Sequence, residues 1–141
     1  MAEEAVEQAL RALRHRERSS SQIEHYLEAR GIDEPERADA LATLARTGLV
    51  DDRRFAETRA RVLAERGAGD ALIEHDLASA GVERDTIEEA LGGLESEPAR
   101  ARRIVERRGP GARTVRYLLG KGFSPDVAHA AVAGARTEPL R

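Results

Sequence analysis

The sequence has 141 residues, a formal net charge of −3, no Cys and no Trp. The lack of Cys excludes a disulfide scaffold and a thiolate metal site. No apolar run reaches the roughly 20 residues that a membrane helix needs, and the acidic N-terminus is unlike a secretory signal, so we expect a cytoplasmic protein. Leu, Ile, Val and Phe make up only about a fifth of the chain, whereas its 25 alanines favour helices. We expect thin, Ala-rich cores between helices.

Apolar residues recur along the chain at spacings of three and four, which is typical of amphipathic helices. Ser21 and Glu24 fit a capping box at the start of the second helix. Gly31 and Gly48 are expected to end the second and third helices. The first four predicted helices cover about residues 3–16, 21–31, 33–47 and 51–66.

One segment of the sequence occurs three times. Residues 23–32 return as residues 73–82 with five of the ten positions identical, and residues 114–123 are a weaker third copy. In each copy a helix ends at a Gly, which can adopt the left-handed conformation that other residues resist, and a second helix follows. These glycines are Gly31, Gly81 and Gly122.

The repeats predict an all-α fold of stacked units. A unit of this size cannot bury its own apolar face, so neighbouring units must contact each other. A third helix is expected to close each of the first two units. The predicted organisation is an N-terminal helix (1–18), two three-helix repeats (19–66 and 67–108), a two-helix repeat (109–135) and a tail (136–141). Such an array is suited to binding a partner along its extended surface rather than to enclosing a small substrate.

Three blocks of the sequence, spread over about residues 5–135, form a distinctive pattern. The most specific block is residues 48–56, in which acidic, basic and apolar residues stand together as Asp51, Asp52, Arg54, Phe55 and Ala56. A second block is the Gly-x3-Ile-x3-Leu-x3-Gly run from Gly69 to Gly81. The opening block consists of Leu10, Arg18, Ser21, Ile23, Leu27 and Gly31. Together the three blocks resemble the RecX family, and the resemblance covers about residues 5–135.

The resemblance implies tandem three-helix repeats stacked into an elongated, curved array. RecX proteins bind the RecA filament on DNA, in its helical groove, and inhibit ATP hydrolysis, strand exchange and co-protease activity. They act in DNA recombination, DNA repair and the SOS response. The resemblance therefore implies a monomeric, non-enzymatic regulator with the RecA filament as its partner and no cofactor.

The sequence departs from the family in two places. The first helix of the second repeat is often basic in the family, but here it carries Asp70, Glu74 and Asp76. Arg59 lies in an otherwise apolar stripe, where we would expect an aromatic residue. It either pairs with an acid at a repeat junction or points to a partner.

No set of residues predicts catalysis or metal binding. Asp51 and Asp52 are adjacent carboxylates, but adjacent helical residues do not face each other, and a helix N-cap with a favourable charge on the helix dipole is the preferred interpretation. His25 and His75 occupy the same repeat position, which indicates a packing role at a repeat boundary. The Gly67-Ala68-Gly69 and Gly109-Pro110-Gly111 segments lack the Lys-Ser/Thr of a phosphate loop and are interpreted as inter-repeat turns.

The basic end of the chain is the main candidate for partner binding. Residues 96–141 have a net charge of +6, while residues 1–50 and 51–95 have −3 and −6. Arg side chains suit carboxylates and phosphates, so this end could contact an acidic filament surface or a DNA backbone. Ordinary surface charge, with pairs such as Arg102 and Glu106, is the alternative. The candidate residues are Arg100, Arg103, Arg107, Arg113, Arg116 and Lys121.

Three functions compete at this point. A RecA regulator is favoured by the family resemblance. A direct DNA-binding module is supported by the basic third, but the sequence pI of about 5.9 and the few aromatic residues argue against tight DNA binding. A helical-repeat adaptor for an unrelated partner is the third. An enzyme ranks last because no residue constellation supports one.

Overall fold

The structure, a computed structural model, describes residues 2–137, and these residues form helices joined by short turns, without a strand. The predicted all-α class is therefore confirmed. The nine helices of the described part are α1 (Ala2–Leu13), α2 (Ser20–Ala29), α3 (Glu34–Arg46), α4 (Asp52–Glu65), α5 (Asp70–Ser79), α6 (Arg84–Gly92), α7 (Glu97–Arg108), α8 (Ala112–Gly120) and α9 (Pro125–Thr137).

Each successive group of three helices has its own apolar core, and we name the groups domain 1 (α1–α3), domain 2 (α4–α6) and domain 3 (α7–α9). The first core includes Ala5, Ala9, Ile23, Leu27 and Leu44. The second includes Ala56, Ala60, Ile73, Leu77 and Ala90. The third includes Ala101, Val105, Leu118, Ala128 and Val132. Small side chains from the first helix of each domain let the helices approach closely.

The domains are one helix out of phase with the predicted units. Helix α1 was expected to stand alone as residues 1–18, but it packs on α2 and α3. Likewise α4 and α7 pack on the pair that follows them, so they do not close the repeats at 19–66 and 67–108. The buried face of α1 consists of Ala5, Ala9 and Ala12. Because alanine is common on both buried and exposed helix faces, the sequence did not predict that α1 is the first helix of a domain.

The start of α2 lies two residues upstream of the predicted capping box. Ser19 is the N-cap, and its side chain accepts a hydrogen bond from the Gln22 backbone N–H at 3.1 Å. The Gln22 side chain in turn accepts one from the Ser19 backbone N–H at 3.0 Å. A box of the expected kind therefore exists, but it uses Ser19 and Gln22 rather than Ser21 and Glu24.

The molecule exposes more surface than a compact protein of its mass. Its accessible area is 9014 Å², against about 7,200 Å² for a typical monomer of 15.4 kDa. Contacts are richer within the domains than between them. Both observations agree with a tandem array of small bundles. No helix among residues 2–137 is long and apolar enough to cross a membrane.

The junction between domains 1 and 2 is polar. The backbone N–H and the hydroxyl of Ser20 donate to the two carboxylate oxygens of Asp52, at 2.7 and 2.8 Å. The Ser19 hydroxyl donates to the carbonyl oxygen of Ala80, next to Gly81. The start of α2 is thus held by the first residue of α4 and by the turn after α5.

The junction between domains 2 and 3 repeats this construction. The backbone N–H of Asp70 donates to the Glu97 carboxylate at 2.7 Å, and the N–H of Gly69 donates to the carbonyl of Lys121 at 2.8 Å. The start of α5 is therefore held by the first residue of α7 and by the turn after α8. The backbones approach so closely that a Cβ at Gly69 would overlap the main chain of Gly122 and Phe123.

Candidate partner-binding cleft

Helices α4 and α7 line an open cleft between domains 2 and 3, with a volume of about 790 Å³. Arg61 of α4 and Arg103 and Arg107 of α7 line it. Its continuation is lined by Arg66 and Arg108. We call these five residues the arginine cleft. It gathers positive side chains that lie more than 30 residues apart in the sequence.

Three arginines of the cleft are free to bind. Among the described residues, Arg61, Arg66 and Arg107 have no acidic partner. Arg103 is 2.7 Å from the Glu95 carboxylate, but 70% of its side chain is exposed. Arg108 stacks over the Tyr117 ring, with the guanidinium carbon 3.5 Å from the ring centre. The cleft therefore combines free guanidinium groups with an aromatic wall.

The cleft also contains acidic groups, namely Glu65, Glu95 and Glu106. These carboxylates moderate the positive potential. The surface is consequently suited to a patterned polar partner more than to indiscriminate binding of polyanions.

Arg100 also lines the cleft, but its side chain is engaged within the fold, which argues against the partner-binding role expected for it. Its side chain is only 10% exposed. It donates to the carbonyl of Ala68 at 2.8 Å and of Glu95 at 3.0 Å, and it pairs with Asp70. All three guanidinium nitrogens donate hydrogen bonds, so Arg100 joins domain 3 to the start of α5.

The other candidates separate into two groups. Arg103 and Arg107 lie in the arginine cleft. Lys121 lies beside it, because its side chain runs close to Gly67, which lines the cleft. Arg113 and Arg116 are exposed on α8 and are not among the residues that line the cleft.

Sequence reasoning missed Arg61 and Arg66. They lie in the acidic middle of the chain, where residues 51–95 carry a net charge of −6. No local pattern distinguishes them from other surface arginines, since only the packing of α4 on the following helices turns them toward α7.

The most specific block of the family resemblance builds the junction between domains 1 and 2. Asp51 accepts a hydrogen bond from the Arg54 backbone N–H at 3.1 Å, so the predicted N-cap is confirmed. Asp52 binds Ser20, as described above. Arg54 donates to Glu17 at 2.5 Å and to the Gly48 carbonyl at 2.9 Å. The carboxylates of Asp51 and Asp52 thus accept hydrogen bonds within the fold.

The unusual Arg59 pairs with an acid, as the first alternative expected, but the pair lies within domain 2 and not at a domain junction. Its guanidinium donates two hydrogen bonds of 2.9 Å to the carboxylate of Asp76. These hydrogen bonds lower the pKa of Asp76 below its usual value. Asp76 and Asp70 are two of the three acids that depart from the family pattern, and both have an arginine partner within the fold.

The predicted packing role of His25 and His75 is wrong, because both side chains are exposed. The Nδ1 atom of His25 lies 2.8 Å from the Ser21 carbonyl oxygen, one turn earlier in its own helix. Within residues 2–137, no group of three or more His, Asp or Glu side chains is placed to hold a metal ion.

Comparison with known sequences gives a consistent result. Residues 5–44 match the first three-helix domain of RecX, and residues 51–91 match the second. These bounds agree with domains 1 and 2. Over 99% of its length the chain is 37% identical to the regulatory protein RecX of Halorhodospira halophila, of which the match covers 94%. The RecX of Chromohalobacter salexigens is 34% identical, with 90% of both chains covered.

Two solved structures share the fold. The crystal structure of RecX from Lactobacillus salivarius superposes with a TM-score of 0.83 over 97% of each chain, at 19% identity. A second RecX structure has a TM-score of 0.73 at 23% identity and covers 89% of this chain and 68% of that one. The sequence matches extend over nearly the whole chain, and the fold agrees along its length. The chain therefore belongs to the RecX family of non-enzymatic regulatory proteins.

Proposed function

We propose that this chain is a negative regulator of RecA. It binds the RecA–DNA filament in its groove and inhibits ATP hydrolysis, strand exchange and co-protease activity. The observation that carries the proposal is the arginine cleft between domains 2 and 3, in a chain of the RecX family. Cytoplasmic placement follows from the same function.

The cleft suits a partner that combines protein and nucleic acid surfaces. Planar guanidinium groups bind carboxylates and phosphates through paired hydrogen bonds. Arg61 of α4 and Arg107 of α7 both line the cleft, so each is available to a carboxylate or phosphate that enters it. The neighbouring glutamates disfavour a bare polyanion. The regulator therefore recognises an arrangement of charges rather than negative charge alone.

Direct DNA binding is a second candidate, favoured by the net charge of +6 of residues 96–141. On this proposal, Arg66, Arg107 and Lys121 contact a phosphate backbone. Affinity for DNA alone would be weak and would fall steeply with salt, because it depends on counterion release. Tight DNA binding that persists at high salt without RecA would favour this candidate.

Charge reversal in the cleft tests the proposal. We expect the double variant Arg61→Glu and Arg107→Glu to raise the concentration needed for half-inhibition of RecA ATP hydrolysis by at least about tenfold. Neither residue has an acidic partner in the described structure, so the change leaves the ion pairs among residues 2–137 intact. Unchanged helicity by circular dichroism would show that the variant is folded.

The matched control is Arg84→Glu with Arg102→Glu, which makes the same change in net charge. Arg84 is exposed on α6 and Arg102 lines a separate depression between α7 and α9. For this control we expect the concentration needed for half-inhibition to lie within about twofold of the wild-type value. If both double variants lost inhibition equally, inhibition would depend on the net charge of the chain and not on the cleft.

A further inference from the structure

Each domain junction is built from two complementary halves. The amide half is the first turn of a domain's second helix, which offers backbone N–H groups. The carbonyl half belongs to the next domain. It consists of the glycine turn after that domain's second helix and the first residue of that domain's first helix. The start of α2 docks on Gly81 and Asp52, and the start of α5 docks on Gly122 and Glu97.

Among residues 2–137, one half of each kind has no partner. Domain 1 has a glycine turn at Gly31, with a φ of +76° like the +79° of Gly81. A Cβ at Gly31 would have nothing within 4 Å, whereas one at Gly81 would overlap the side chain of Ser21. Domain 1 thus has the glycine turn of a carbonyl half, and none of residues 2–137 docks on it.

Domain 3 carries the complementary half at the other end of the array. Helix α8 begins after Gly111, which has no side-chain cap, just as α5 begins after Gly69. A Cβ at Gly111 would meet nothing within 4 Å, while one at Gly69 would overlap the backbone of domain 3. The backbone N–H groups of Gly111, Ala112 and Arg113 have no hydrogen-bond partner in the described structure.

The charges of the two open ends are complementary. The amide half combines the positive end of a helix with Arg113, in a segment of net charge +6. The carbonyl half lies at the negative end of α2 and belongs to a segment of net charge −3. Exposed Glu3 and Glu4 stand in the first turn of α1. They lie near the position that Asp52 and Glu97 occupy in α4 and α7, but not in the same register.

We propose that a second copy of this chain docks at the Gly31 turn through the start of its α8. The contact is head-to-tail and continues the repeat from one molecule to the next. The two junctions inside the chain are supported by the covalent connection, which the intermolecular contact lacks. It therefore forms weakly, and the expected monomer is the species present in dilute solution. The proposal does not depend on the partner or the function proposed above.

Sedimentation equilibrium of the full chain, up to about 1 mM, tests the proposal. We expect the weight-average mass of the wild type to rise above that of the monomer with concentration. Gly111→Gln should remove the rise, because a side chain there blocks close approach of the backbones. Gly120→Gln is the control, since Gly120 also has open space around it but lies at the other end of α8.

The opposite end is tested by Gly31→Asn, with Gly48→Asn as its control. Both glycines have nearly the same positive φ, 76° and 77°, and nothing near a Cβ, so the backbone strain of the two substitutions is matched. Only the change at Gly31 should abolish association. A mixture of the Gly31 and Gly111 variants should form dimers and nothing larger, because each supplies the half that the other retains.

Three results would overturn the proposal. The first is a wild type that stays monomeric throughout the concentration range. The second is association that survives in either blocked variant. The third is a mixture of the two blocked variants that fails to dimerise under conditions where the wild type does.

Discussion

Replacing Gly69 by Ala is expected to lower the free energy of unfolding by about 1–3 kcal/mol, as overpacking of a filled site does. The added methyl would overlap the main chain of Gly122 and Phe123, which cannot move aside as a flexible side chain could. Domain 3 must shift, and the hydrogen bonds that join Gly69 and Ala71 to the turn after α8 lengthen. Urea denaturation followed by far-ultraviolet circular dichroism measures the loss.

Gly111→Ala is the matched control for this prediction. Gly111 and Gly69 are both N-caps without a side-chain hydrogen bond, so the two substitutions make the same local change at a helix start. Only Gly69 lies against another domain. We expect Gly111→Ala to change stability by less than about 0.5 kcal/mol. Equal losses at the two positions would show that the junction does not require the close approach.

Replacing Arg100 by Met is expected to lower the free energy of unfolding by about 1.5–3 kcal/mol, the range for hydrogen bonds to charged groups. The substitution removes the hydrogen bonds to the Ala68 and Glu95 carbonyls and leaves Asp70 without its partner. Met keeps much of the aliphatic stem, so the loss reports on the guanidinium. Urea denaturation measures it.

Arg103→Met is the control on the same helix. Arg103 forms a single exposed pair with Glu95, and such pairs contribute at most about 1 kcal/mol. Adding Asp70→Asn to Arg100→Met should recover part of the loss, because the unpaired carboxylate is then neutral. If Arg100→Met were as stable as Arg103→Met, Arg100 would be an ordinary surface charge and its assignment to the junction would fail.

The glycine repeat made much of the fold predictable. A left-handed turn after a helix has a distinct sequence signature at Gly31, Gly81 and Gly122, and each occurs where expected. The phase of the domains was not predictable, because α1 contributes alanines to its core. Alanine is common on buried and exposed helix faces alike, so the pattern does not say which neighbours a helix packs against.

The candidate site was predictable only in part. Helical spacing places Arg103 and Arg107 on one stripe, and both lie in the arginine cleft. The same spacing includes Arg100, since periodicity does not show that Asp70 lies opposite it. Arg61 comes from another domain and enters the cleft only through tertiary packing. Local patterns thus identify a charged helix face, while the distinction between a binding residue and a junction residue depends on the fold.

We propose that this chain restrains RecA. The most direct test is the rate of DNA-dependent ATP hydrolysis by RecA from the same organism, measured while the chain is titrated from a small fraction of the RecA concentration to an excess. We expect inhibition to be complete at or below one chain per RecA. Inhibition at a small fraction would indicate capping of filament growth, and inhibition near equal amounts would indicate coating of the groove. An unchanged rate at several chains per RecA would contradict the account.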